Sequence, residues 1–154
     1  MPRNDCGENV MFANLNPEER QGLTRAVMEL LDEWGLGSAQ QVAVLDLPGK
    51  VGARMLRRYH ENTPFPDTPE VNRRIGYLLK IADALRTTYP RNARMGTRWM
   101  KQRHRRLRNH TPLNLMVESG ESGMALVLAQ LDCVYAWDLS GSDPAPYPHL
   151  SGTA

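Results

Sequence analysis

Apolar residues recur along most of this chain at intervals of three and four, and no stretch alternates residue by residue. The first clear run is Leu23, Val27, Leu30, Leu31 and Trp34. That spacing lines one face of a helix. Asn16-Pro17-Glu18-Glu19 stands just ahead of it. Asn16 suits the cap, Pro17 the first helical position, and Glu19 the return arm of a capping box. Gly35 supplies a stop. The pattern predicts a first helix over Pro17–Trp34.

Ser38, with Gln41 three residues on, opens a second helix over Ala39–Asp46 with Val42, Ala43 and Leu45 inward. Leu47-Pro48-Gly49-Lys50 breaks it. A third helix covers Val51–His60, with Val51, Met55 and Tyr59 on its buried side, and Thr63-Pro64-Phe65-Pro66 ends it. Two short helices joined by a tight turn read as a helix-turn-helix. Asp67-Thr68-Pro69-Glu70 starts a fourth helix, Pro69–Tyr89, with Ile75, Leu78, Leu79, Ala82 and Leu85 on one face and Pro90 as its stop. Arg91–Arg108 is helical in part, around Trp99, Met100 and Leu107. Thr111-Pro112 begins a short helix carrying Leu113, Leu115 and Met116. After Gly120 and Gly123 a last helix runs to Trp137. The expected fold is all-α: a helix-turn-helix bundle over 16–90, then a small helical unit over 91–137. Residues 1–15 and the Gly/Ser/Pro-rich 138–154 read as flexible tails.

Length and composition narrow the class. The 154 residues suit one compact domain or two small helical ones. The longest apolar run, Met124–Ala129, is six residues, far short of a membrane span. No basic-then-apolar leader stands at the N-terminus. The chain is expected to be cytoplasmic, with no membrane association. Cys6 and Cys133 are the only cysteines, so neither a disulfide framework nor a cysteine metal site is indicated. His60, His104, His110 and His149 do not pair at i, i+4. There is no phosphate-binding Gly-Lys-Ser/Thr motif. The reading is a protein that is not an enzyme and uses no cofactor.

Charge changes the picture more. The net charge of +2 hides an uneven distribution. Eight basic residues and no acid lie between Arg91 and His110. From Thr111 onward there is no lysine or arginine, against Glu118, Glu121, Asp132, Asp138 and Asp143. Such asymmetry suggests two partners, one of them polyanionic. The third helix adds a second basic feature. Arg54, Arg57 and Arg58 fall on adjoining parts of one face, Lys50 precedes them, and no acid occurs from Gly49 to Tyr59. A recognition helix uses arginine for guanine edges and phosphates. Gln41, Lys50, Arg54, Arg57 and Arg58 are the candidate DNA-binding residues, and a solvated basic helix is the plain alternative. For 91–108 several readings stay open: tracking DNA phosphates, binding RNA, facing the acidic last third of the chain, or simply being a soluble helix.

Three segments resemble the Xre/MbcA/ParS antitoxins of bacterial toxin–antitoxin pairs. One is Leu30-Leu31-Asp32-Glu33-Trp34-Gly35-Leu36 with the helix-turn-helix after it. The second is Arg74-Ile75-Gly76-Tyr77-Leu78-Leu79-Lys80-Ile81-Ala82-Asp83-Ala84-Leu85. The third joins Arg98-Trp99-Met100, Thr111-Pro112-Leu113-Asn114-Leu115-Met116, Gly120, Gly123-Met124 and Val127 to Leu131-Asp132. The likeness covers about Pro17–Val134. It is looser at Arg103-His104, Asn109-His110 and Asn114. The resemblance implies an antitoxin that neutralises a RES-domain, NAD-consuming toxin by covering its active site. It also implies repression of its own operon by DNA binding. Leu128, Asp132, Tyr135 and Trp137 are the candidate toxin-binding residues. A homodimer is expected on operator DNA, because helix-turn-helix proteins read paired half-sites. A stand-alone helix-turn-helix regulator with no toxin partner is the alternative.

Overall fold

The computed structural model describes residues 15–140, with side chains as far as Val134. Of the expected tails at 1–15 and 138–154, residues 1–14 and 141–154 lie outside the described residues, while 138–140 continue the last helix. Six α-helices follow one another: α1 Pro17–Glu33, α2 Ser38–Leu45, α3 Ala53–Glu61, α4 Pro69–Thr88, α5 Ala93–Lys101 and α6 Pro112–Ser140. A 3-10 turn, Arg105–Leu107, sits between α5 and α6. No strand occurs among the described residues, only an isolated bridge between His104 and His110. The protein is all-α there, as expected.

The helix starts follow the expected chemistry with small shifts. Asn16 Oδ1 accepts from Glu19 N at 2.8 Å, and Asn16 N donates to Glu19 Oε1 at 3.0 Å, which is the full capping box. The second start moves by one residue: Gly37 is the cap, and its N–H donates to Gln40 Oε1 at 2.9 Å. Thr68 caps α4, accepting from Val71 N at 3.2 Å. Asp67 instead accepts from the Asn72 side chain at 2.8 Å. Thr111 Oγ1 accepts from Asn114 N at 3.0 Å at the head of α6. At the end of α1, Gly35 N donates to Asp32 O and Leu36 N to Leu31 O. This is a Schellman turn, and Gly35 supplies the left-handed conformation it needs, φ 83°.

The connection between α2 and α3 differs from the expected tight turn. It runs over residues 46–52, because Asp46 closes α2 in a left-handed conformation (φ 52°) and α3 starts only at Ala53. Leu47 folds back under α2 and is buried. The buried residues of α3 are Leu56 and Tyr59, while Val51 and Met55 are half-buried.

α4 is the central post. α6 lies along it, and α1, α2 and α5 also pack on it. Its buried apolar side chains are Val71, Ile75, Leu78, Ile81, Ala82 and Leu85. The set is broader than one stripe because helices approach α4 from more than one side. Leu79, expected inward, is half-buried. The core is one cluster from Val27 to Leu131, so residues before and after position 90 share it. Trp99 and Met100 anchor the basic segment to that core, and Leu107 is buried as well. The short helix and the last helix expected after Thr111 are both present, as the two arms of α6, and they meet at a kink where Gly120 leaves the helical conformation (φ 63°, ψ −133°). A Cβ on Gly123 would overlap the carbonyl oxygen of Leu115, so only glycine lets the two arms of α6 cross there.

Candidate nucleic-acid interface

α3 packs chiefly on α1 and leaves its other side open. Leu56 and Tyr59 point down, and Tyr59 meets Phe65 edge to face at 5.0 Å. Burial pushes the Tyr59 hydroxyl pKa above its ordinary value. With that face committed, Arg54, Arg57 and Arg58 point to solvent. Lys50, in the loop ahead of them, is exposed as well. Four cations thus share the open side, and no carboxylate occurs between Gly49 and Tyr59.

A single carboxylate links α1 to both α2 and α3. Asp32, in the last turn of α1, has His60 Nε2 of α3 at 3.0 Å from Oδ2. Its Oδ1 accepts from Gln41 Nε2 of α2 at 2.7 Å. Gln41 Nε2 also donates to Leu36 O at 3.1 Å. Gln41 is only 5% exposed, with its amide nitrogen committed inward. It belongs to the joint that holds α2 and α3 on α1, and not to the exposed basic side. This corrects its place among the DNA-binding candidates. A cavity of about 360 Å³ lies over the joint, lined by Asp32, Gly37, Gln41, Ala53, Arg57 and His60 among others.

A buried polar network anchors the other end of α1. Arg20 Nε donates to Phe65 O at 2.9 Å, and Nη2 donates to Pro66 O at 2.7 Å and Asn72 Oδ1 at 2.9 Å. Thr24 Oγ1 accepts from Phe65 N at 2.9 Å. Desolvation lowers the Arg20 pKa from its ordinary value, and the nearby Asp67 carboxylate opposes that shift. Arg74 is a third joint. Its Nη1 donates to Ala43 O and Val44 O, both 3.1 Å, at the carboxyl end of α2, and its Nε lies 3.9 Å from Glu121 of α6. Sequence spacing gave no signal for Asp32, His60, Arg20 or Arg74, because each acts across a long loop closure. The i, i+4 relation of Arg20 and Thr24 was the one local hint.

α5 presents a second basic face. Arg94, Arg98 and Lys101 fall at i, i+4 and i+7 and are exposed, while Gly96, Trp99 and Met100 on the other side are buried. Trp99 stacks against His104 with ring centres 4.7 Å apart, and His104 Nε2 lies 2.8 Å from Trp99 O. One acid of α6 is engaged elsewhere: Glu121 accepts from Arg73 Nε at 3.1 Å and 3.3 Å.

The structure brings two of the toxin-binding candidates together. Leu128 and Asp132 line a groove of about 340 Å³ between α4 and α6, with Lys80, Asp83, Thr87 and Thr88. Leu128 is half-buried and Asp132 exposed. The buried Thr88 hydroxyl has no hydrogen-bond partner among the described residues. Leu126 is 55% exposed on the outer side of α6. Tyr135 and Trp137 fall in the last turns of α6, and their side chains lie outside the described residues. Among the described residues no group of three or more His, Cys, Asp or Glu could hold a metal ion, and no helix is long and apolar enough to cross a membrane. No family model, curated protein or solved structure matches the chain.

Proposed function

We propose that this protein is an antitoxin of the Xre/MbcA/ParS kind, a non-enzymatic chain that binds operator DNA through α3 and a RES-type toxin through α4 and α6. The observation that carries the DNA half is the open side of α3. Lys50, Arg54, Arg57 and Arg58 are exposed together, with no acid on that segment, on a helix held from below by Leu56 and Tyr59. A helix supported in this way offers its cations to phosphates and base edges with little loss of freedom on binding. The protein half is supported by the groove at Leu128 and Asp132, by the unpartnered Thr88 hydroxyl within it, and by exposed Leu126. The connection at 46–52 is longer than the three- or four-residue turn of the usual motif. The reading therefore rests on the surface of α3 more than on the turn.

The test uses the promoter fragment of the chain's own gene. Arg54→Ala/Arg57→Ala/Arg58→Ala is expected to abolish sequence preference, with a loss of about 1–3 kcal/mol for each arginine that reads a base. Unchanged promoter affinity in this variant overturns the DNA assignment. Sedimentation on a two-half-site duplex is expected to show a dimer. For the toxin half, co-expression with the neighbouring gene product should give a co-purifying complex that Leu128→Arg disrupts. A toxic neighbour that remains unbound and active leaves the stand-alone regulator as the better reading.

A further inference from the structure

We propose that Arg94, Arg98 and Lys101 of α5 form a second contact with duplex DNA, a phosphate clamp continuous with α3 around the α1–α2 corner. The inference rests on the DNA-binding reading above and extends it to the segment 91–108. Three observations carry it.

The first is position. The Lys101 side chain lies over Gly35: a Cβ placed there would meet its Nζ at 3.0 Å and its Cε at 3.1 Å. Two residues further on, Gly37 lines the same cavity as Arg57 of α3. The turn 35–38 is thus flanked by Lys101 on one side and Arg57 on the other. Two residues of chain span at most about 7 Å, so a backbone laid across this corner meets both basic faces. Between them lies the first turn of α2, where no side chain accepts from the helical N–H groups. Its partial positive charge stands at the rim of a cavity that also holds the carboxylates Asp32, paired with His60, and Glu61.

The second is charge. Arg94, Arg98, Lys101 and Gln102 line one broad, shallow cavity of about 690 Å³ with Glu33 as its lone carboxylate. At a rise of 1.5 Å per residue the three cations extend over about 10 Å, roughly the rise of three base pairs. Like charges held at such spacing repel one another, and a polyanion relieves that repulsion. Glu121 is held by Arg73 and does not reach them.

The third is what the face lacks. Single-stranded nucleic acid is gripped by aromatic platforms on which bases stack. Trp99, the aromatic residue of α5, is 7% exposed and stacked on His104. A face of cations without an open ring suits the phosphates of a duplex, contacted without regard to sequence.

The experiment measures affinity for the promoter duplex, a random duplex and a single-stranded RNA of equal length, from 50 to 300 mM salt. The proteins are the full chain, an Arg94→Gln/Arg98→Gln/Lys101→Gln variant and the α3 triple alanine variant. The double variant Arg94→Gln/Arg98→Gln keeps the Lys101 packing on Gly35 and guards against misfolding, which circular dichroism monitors. The α5 triple variant should bind both duplexes about 10-fold or more weakly at 150 mM salt. Its slope of log affinity against log salt should fall by about 2–3, near 0.9 for each phosphate that is no longer neutralised. Its promoter preference should survive. Duplex affinity and slope equal to those of the full chain overturn the clamp. So does a full chain that prefers RNA and loses that preference in the α5 variant. If the α3 variant also binds like the full chain, the DNA-binding reading itself is what fails.

Discussion

Arg20 shows how one buried charge can set the geometry of a small helical protein. Its guanidinium satisfies Phe65 O, Pro66 O and Asn72 Oδ1 and so ties α1 to the loop that leads into α4. Arg20→Ala would leave these acceptors unpaired in a buried place. Each buried neutral acceptor left unpaired costs about 1–3 kcal/mol, so a loss of about 3 kcal/mol or more is expected. Urea unfolding measures it, and a loss below about 1 kcal/mol would mean the network is replaceable. Tyr59 gives a pH signature. Its pKa in the folded chain is raised by burial above the ordinary value of 10.0, so the folded state resists ionisation. The linked stability is fully present below pH 10 and is lost as pH rises through the folded pKa, because only the unfolded chain releases the proton early. Tyr59→Phe keeps the ring against Phe65 and removes the hydroxyl. Stability measured from pH 8 to 11.5 should therefore decline less in the variant than in the natural chain.

At the scale of elements, α6 depends on two glycines for different reasons. Gly120 takes φ 63° with ψ −133°, a conformation essentially reserved for glycine, and Arg74 Nη2 packs against it. Gly123 is where the arms of α6 cross, with Leu115 O occupying the place a Cβ would take. Gly123→Ala cannot be absorbed by a side-chain rotation, since the obstacle is backbone. It should cost about 1–3 kcal/mol or more, against the few tenths to one kcal/mol that alanine would add in an ordinary helix. Thermal unfolding decides between these signs. A stabilised Gly123→Ala chain would show that the crossing is looser than described.

For the whole molecule, the shared core has a consequence for cooperativity. Residues from both sides of position 90 belong to one apolar cluster, and α6 covers both α2 and α4. The chain should unfold in a single transition. Trp34 lies in the first part and Trp99 in the second, both buried. Fluorescence of single-tryptophan variants should report the same urea midpoint for each, coincident with far-UV circular dichroism. Two separated midpoints would mean that 16–90 and 91–137 are independent units after all.

The sequence by itself determined the helices, their order and most of their ends. The capping box at Asn16, the stop at Gly35 and the cap at Thr111 are local hydrogen-bond chemistry, readable wherever donor and acceptor lie within three or four residues. The exposure of Arg54, Arg57 and Arg58 was legible too, from charge on one helix face. The cap itself shifted at two starts, to Gly37 ahead of Ser38 and to Thr68 after Asp67, because the extended backbone conformation of the cap residue chooses it. Only the tertiary structure decided the rest. Gln41 left the candidate surface because Asp32, nine residues away, draws its amide inward. Asp32 meets His60, and Arg74 meets the carbonyls of α2, across loops whose closure no local pattern encodes. The adjacency of Lys101 and Arg57 around the α1–α2 corner is of the same kind. Periodicity tells which face of a helix is apolar, but which helices share that face is fixed only when all of them pack together.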